Sequence, residues 1–360
     1  MPADAFEMPT LYSRSVVLDD AVRILDRREF PFKTTFVVCR DHEQVADAIE
    51  AMVTQSNGPF YAAGAAMVLA ARKAATLDSE ARIDFMKAAA ARLVRTRPTN
   101  NNIASAVSHA LTLVADFQGP DEMFAAHIED GVRHDWERRR DLLARIGRHA
   151  ASLVSDGERL MTYCWSEGAL METLASVLRS GKEVELVCPE TRPYLQGARL
   201  TAHSAAEMGV KATVITDGMC AHAIASSRAT KLMTAADRVT MSGHVINKVG
   251  TLQAAIAARY FRIPYYATVI EPDRKAANPG DVEMEERDPG EALHCLGIRT
   301  ASPLAQGWYP AFDVTPPDLV SAIVTSRGIF APSTLAQTPS GIGASEERRR
   351  EHYPAGDFVG

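Results

Sequence analysis

Residues able to do chemistry recur in this chain just after short apolar runs. In an open parallel sheet, that rim beyond the strand ends is where ligands bind. The run at residues 159–163 is followed by Cys164-Trp165-Ser166-Glu167-Gly168, and the run at 183–188 by Pro189-Glu190-Thr191-Arg192-Pro193. Residues 211–216 lead into Asp217-Gly218-Met219, and the stretch around 233–236 into Asp237-Arg238. Gly243-His244 and Asn247-Lys248 follow on a downstream loop. One rim would thus collect a thiol, carboxylates, an arginine, a lysine and an amide, a set suited to a phosphorylated polar ligand and to proton movement.

Taken singly, none of these residues is specific. A cysteine closing a strand is commonly a small buried hydrophobe. An aspartate after a strand is as often a helix N-cap as an acid, and Asp217 before Gly-Met fits a cap. His222 and His244 have no second ligand four residues on, so they read as loop or surface histidines and no metal site is expected. Arg138-Arg139-Arg140 reads as a solvated helix face. No GxGxxG or GxxxxGK[ST] follows a strand, which argues against a dinucleotide or a P-loop.

The elements that must carry these residues fall into two parts. Residues 15–18 and 34–39 are β-branched enough for short strands. Beyond Asp41 the chain turns alanine-rich and helical, at 45–53, 62–75, 80–94 and 102–115. An amphipathic helix at 136–154 repeats Leu142, Leu143, Ile146, Ala150 and Leu153 at helical spacing. After Gly157 short runs at 159–165, 183–188, 211–216, 238–241 and 264–270 alternate with helices at 170–178, 196–208 and 251–261. A repeat of roughly 25–30 residues of this kind implies βαβ units and a parallel sheet. The expected organisation is a mixed, mainly helical domain over 1–150, an α/β catalytic domain over 151–338, and a flexible tail over 339–360.

Bulk properties narrow the class. The 360 residues are 46% hydrophobic and 23% charged, with a net charge of −6. No Lys/Arg block offers the basic surface that nucleic acid requires. The longest apolar stretch, 62–71, is about half a membrane span. The N-terminus lacks the basic and apolar regions of a secretory signal. Five widely spaced cysteines, Cys39, Cys164, Cys188, Cys220 and Cys295, suggest neither a disulfide framework nor a metal cluster, and point to a reducing cytoplasm.

The wording of particular blocks is more specific than their spacing. Residues 190–202, from Glu190-Thr191-Arg192-Pro193 through Gln196-Gly197 to Leu200-Thr201-Ala202, resemble the ETRP…QG…LTA signature of the methylthioribose-1-phosphate isomerase family. Its superfamily also holds ribose-1,5-bisphosphate isomerase and the regulatory α, β and δ subunits of eukaryotic initiation factor 2B. Arg97-Pro98-Thr99 with Asn102 resembles the RPT..N motif, and Thr162-Tyr163-Cys164 resembles THC. Ala236-Asp237-Arg238 is similar to GADR, and Asn247-Lys248-Val249-Gly250-Thr251 to NKIGT. Segments 285–289 and 310–316 are similar to the methylthioribose branch, so the resemblance runs over about residues 10–335.

That resemblance implies a Rossmann-like, doubly wound C-terminal domain beside a smaller helical N-terminal one, usually in a homodimer. It implies isomerisation of an aldose 1-phosphate to its ketose 1-phosphate with no metal or organic cofactor. The default substrate is S-methyl-5-thioribose 1-phosphate, in methionine salvage. Cys164 and Asp237 align with the catalytic pair. Gln196, Asn247 and Lys248 align with positions that hold sugar hydroxyls, Arg97 with one that holds phosphate, and Gly58 with the phosphate-site turn. The alternatives are another 1-phosphorylated sugar, such as ribose 1,5-bisphosphate or 5-deoxyribose 1-phosphate, or a non-catalytic ligand-sensing subunit. Departures cluster around the site. The RGAP.IG motif is replaced by Asn57-Gly58-Pro59-Phe60-Tyr61-Ala62-Ala63-Gly64, without its arginine. The cysteine loop is one residue longer and brings Trp165 and Glu167, and AAP.ST.D becomes residues 268–273 with Glu271. Retained chemistry with an altered substrate is one reading of these changes, and ordinary drift the other.

Overall fold

The computed structural model describes residues 6–97 and 100–337. The proposed tail at 339–360 and Pro98-Thr99 of the RPT block lie outside the described residues. Contacts divide the described residues into two compact units, one holding residues 14–139 and the other residues 6–13 and 140–337.

The first unit carries an antiparallel sheet of β1 (Val16–Leu18), β2 (Val22–Leu25) and β3 (Phe36–Cys39). Its helices are α2 (His42–Glu50), α3 (Gly58–Ala74), α4 (Ser79–Thr96) and α5 (Asn101–Asp116), after a short α1 (Thr10–Ser13) that belongs to the other unit. Helix starts follow local chemistry. Asp41, Asp78 and Asn100 each accept a backbone N–H of the first turn, as an N-cap should. Helix α3 is apolar almost all round because α2, α4 and α5 pack against it. The apolar stretch at 62–71 is therefore this unit's central helix, and among the described residues no helix is long and apolar enough to cross a membrane. The chain passes from one unit to the next within α6 (Phe124–Ala151), which is longer than the amphipathic segment its sequence suggests.

The second unit is built on seven strands: β4 (Glu158–Met161), β5 (Val184–Pro189), β6 (Lys211–Ile215), β7 (Lys231–Ala235), β10 (Tyr265–Thr268), β14 (Ala322–Thr325) and β15 (Gly328–Phe330). Their order is β15-β14-β10-β7-β4-β5-β6, parallel except for the antiparallel β15. The expected doubly wound α/β sheet is present. From β4 the chain steps outward to β5 and β6, then returns to the other side at β7. The order therefore reverses between β4 and β7, and that switch point is where such sheets bind ligands.

Helices α7 (Glu167–Arg179), α8 (Ala202–Glu207), α9 (Cys220–Ala225) and α10 (Thr251–Tyr260) connect the strands. One strand expectation is corrected. Residues 238–241 do not join the parallel sheet. β8 (Arg238–Val239) pairs instead with β9 (Val245–Lys248), which pairs with β13 (Phe312–Thr315), making a small antiparallel sheet. The central strand is β7, whose buried Leu232, Met233 and Thr234 form too short an apolar run to stand out in sequence.

Candidate active site

Cys164 follows β4 and Asp237 follows β7, two strands paired side by side through Leu160↔Lys231 and Met161↔Leu232. Both residues therefore leave the sheet at its switch point. The loop between β4 and α7 is fastened to the end of β7, because the Ser166 hydroxyl accepts the Ala235 N–H at 3.1 Å. β8 begins one residue after Asp237 and pairs Arg238 with Ile246, which sets Asn247 and Lys248 beside it in the buried strand β9.

Cys164 is held in a backbone conformation that side chains rarely adopt, φ 63°, and Thr191 and Leu195 (φ 63° and 64°) and Glu167 (φ 37°) share it. Such strain persists only where the surroundings over-determine it. Here the Cys164 N–H donates to Thr191 Oγ1 at 3.1 Å, and Thr201 Oγ1 donates to the Cys164 carbonyl at 2.6 Å. Thr191 is fixed in turn by Asp217, whose carboxylate accepts the Thr191 and Arg192 N–H groups, each at 2.8 Å. Asp217 also accepts the Tyr163 hydroxyl. It is thus a positioning carboxylate for the Glu190–Arg192 loop, more than the helix cap its sequence suggests.

The electrostatics bring the expected pair and the lysine together. Burial pushes the Cys164 thiol up to about 11, while Lys248 and the Trp165 N–H pull it down and Asp237 and Asp217 push it up. Lys248 is 6% exposed; burial lowers its pKa, Cys164 opposes that, and Asp237 is again among the charges it feels. Its ammonium donates to Tyr309 Oη at 2.6 Å. Asp237 itself is exposed, so its protein neighbours do not supply the dry surroundings that favour a protonated carboxyl.

Gln196 opens a single π-helical turn, Gly197–Thr201, whose last residue is the threonine bonded to Cys164. Its carboxamide oxygen is buried with no hydrogen-bond partner among the described residues. Asn247 is buried and donates to Thr251 Oγ1 at 3.0 Å. Trp165 and Glu167 are both buried.

Gly250 opens α10 at φ 106°, beneath Asp313, which accepts its N–H at 2.6 Å. Burial raises the Asp313 carboxyl to about 6 against those N–H bonds. A Cβ on Gly250 would stand 1.9 Å from Tyr163 Oη. Gly250→Ala is expected to cost about 1–3 kcal/mol from backbone strain alone, read as a lowered urea midpoint. An unchanged midpoint would mean that residue 250 is not held at this positive φ.

Arg97 and Gly58 belong to the helical unit. Arg97 stands at the C-terminus of α4, where the backbone leaves the helix. Gly58 is the first residue of α3, and packing alone demands glycine there: a Cβ would meet Thr54 Oγ1 at 1.9 Å and the buried Arg27 at 2.8 Å. The arginine run is corrected at Arg139. It stacks 4.3 Å over the Phe60 ring and donates to Asn57 and Asn102, so it is not merely solvated. Sequence reasoning passed over Tyr309 as a site neighbour, since it reaches Lys248 through tertiary contacts alone, and it did not foresee that Asp217 fixes the 190s loop.

The profile of the initiation factor 2 subunit family matches residues 57–332. The chain belongs to that family. Over 340 residues it is 35% identical to the methylthioribose-1-phosphate isomerase of Xanthomonas euvesicatoria pv. vesicatoria, covering 90% of this chain and 94% of the relative. The enzyme of the same name from Pelotomaculum thermopropionicum is 33% identical over 343 residues, at 90% and 93% coverage. Among solved structures, the 5-methylthioribose 1-phosphate isomerase of Pyrococcus horikoshii superposes with a TM-score of 0.85 at 27% identity, covering 94% and 97%. The translation initiation factor eIF-2B subunit delta of A. fulgidus gives 0.81 at 28%, covering 90% and 99%. Family membership thus includes isomerases and initiation-factor subunits alike, and the site has to separate them.

Proposed function

We propose that this chain is an aldose–ketose isomerase converting S-methyl-5-thioribose 1-phosphate to the corresponding ketose 1-phosphate. The observation that carries this reading is the gathering of Cys164, Asp237 and Lys248 at the switch point, where thiol, carboxylate and ammonium feel one another. A purely regulatory subunit has no use for a thiol held in a strained backbone beside an acid. The two sequence relatives named above, matched over 94% and 93% of their length, both carry the isomerase name.

The chemistry follows from the substrate. A phosphate on the anomeric oxygen blocks ordinary ring opening, so an acid must protonate the ring oxygen, and Asp237 takes that part. Once ionised, the same carboxyl can receive the proton released from the C2 hydroxyl as the ketone forms, so the protons balance. Cys164 stands at the carbons between which hydrogen moves. The buried, partnerless oxygen of Gln196 suits a sugar hydroxyl, since an unmatched buried acceptor is costly. Asn247 and Lys248 hold further hydroxyls. The family resemblance assigns Arg97 and Gly58 to phosphate, and charge-assisted arginine–phosphate bonds suit that task. We further place the protein in methionine salvage, in a reducing cytoplasm and as a homodimer.

The test offers methylthioribose 1-phosphate, ribose 1,5-bisphosphate and 5-deoxyribose 1-phosphate to the protein and follows ketose formation by NMR. The methylthio sugar is expected to turn over fastest. Preference for either of the others would move the substrate assignment, and inertness toward all three would end the isomerase reading.

A further inference from the structure

We propose that Tyr309 is a positioning residue for Lys248, its phenol holding the buried ammonium at the reacting end of the site. Lys248 and Tyr309 are 6% and 4% exposed. The Nζ–Oη distance is 2.6 Å, and the Lys248 nitrogen also lies 4.7 Å from the centre of the Tyr309 ring. Among the described residues, Tyr309 is the hydrogen-bond partner of that ammonium. An ammonium carries three donors, and burying it with one acceptor makes that acceptor matter. Filling the space would not require a tyrosine, because phenylalanine has the same ring. The hydroxyl is what tyrosine adds.

The backbone delivers Tyr309 firmly. Its carbonyl accepts the Arg287 N–H at 2.9 Å, and the Ala311 N–H donates to Glu285 at 2.9 Å, so segments 285–287 and 309–311 run together. Arg192 ties the intervening excursion down through the carbonyls of His294 at 2.7 Å and Ala292 at 3.3 Å. The 190s loop that fixes Cys164 thus also helps seat the segment that brings the phenol to Lys248.

The charged and titratable groups facing the pair are Cys164, Asp237, Glu285, Arg287 and Asp313 around Lys248, with Glu291 beside Tyr309. Burial already lowers the Lys248 pKa. An accepting phenol favours the charged amine, so its loss drives the pKa lower still and brings deprotonation to lower pH. The ammonium also restrains the Cys164 pKa, so losing its charge earlier would leave the thiol harder still to ionise.

Only the kinetic arm of the test rests on the isomerase reading. Protein carrying ¹³C-labelled lysine is titrated by NMR as wild type, Tyr309→Phe and Tyr309→Leu, with Lys248→Met to assign the signal. The Lys248 midpoint is expected to fall by about one pH unit, a tenfold loss of proton affinity, in both Tyr309 variants. The alkaline limb of kcat/KM should move down with it in Tyr309→Phe. An unmoved Lys248 midpoint in folded Tyr309→Phe or Tyr309→Leu overturns the proposal. Should the wild type turn over none of the three sugar phosphates, the isomerase reading fails while the Lys248 titration still decides the role of Tyr309.

Discussion

Asp237→Asn is expected to leave a folded protein that binds methylthioribose 1-phosphate and isomerises it about 10²–10⁴-fold more slowly. The size follows from the task. Ring opening of a sugar whose anomeric oxygen is esterified needs a proton on the ring oxygen, and an amide cannot give one. Folding should be spared, because Asp237 is exposed and lies between β7 and β8 rather than in the core. Its exposure also means that the sugar phosphate must itself cover the carboxyl to keep it protonated. Truncating the methylthio group, as in 5-deoxyribose 1-phosphate, should then lower kcat as well as weaken binding. The check is ketose formation by NMR beside substrate affinity by calorimetry. Wild-type turnover in Asp237→Asn would remove the carboxyl from the mechanism, and lost affinity with kcat intact would reduce it to a binding group.

Much of the candidate site was legible in sequence because strand ends mark the ligand rim of a parallel sheet. Cys164 needed only the recognition of β4, and Lys248 only the wording of its block. Asp237 stands just beyond β7, although that strand is only loosely delimited in sequence: β7 is short, begins with Lys231, and competes with the adjoining run at 238–241. That stretch went to the antiparallel sheet because β9 pairs with it and is itself held by β13, more than 60 residues further on, a choice local periodicity cannot express. Arg139 looked like surface in a run of three arginines, and only the fold brings Phe60 and Asn57 under it. Tyr309 carries no motif of its own. Its pairing with Lys248 spans 61 residues and depends on the 285–287 segment, so no window of sequence contains it.

The second large effect concerns Cys164. With its thiol raised to about 11, roughly one molecule in 10⁴ is ionised at pH 7. A thiolate base would then be a rare species at rest, and Lys248, whose pKa is itself lowered by burial, offsets this only in part. A direct C2-to-C1 hydride-like shift needs no thiolate. It needs an uncharged, close-fitting wall that excludes water, which a half-buried neutral thiol covered by the substrate provides. Substrate deuterated at C2 should therefore give ketose with the label retained at C1, and none should appear in solvent. Cys164→Ala is expected to lose at least about 10²-fold in kcat by admitting water and loosening the reacting carbons, and its residual product should still carry the label. Cys164→Ser, similar in shape but more readily hydrated, should fall between alanine and wild type. Washout of deuterium into water during wild-type turnover would reverse the assignment, making Cys164 a cycling base whose minor ionised form does the work.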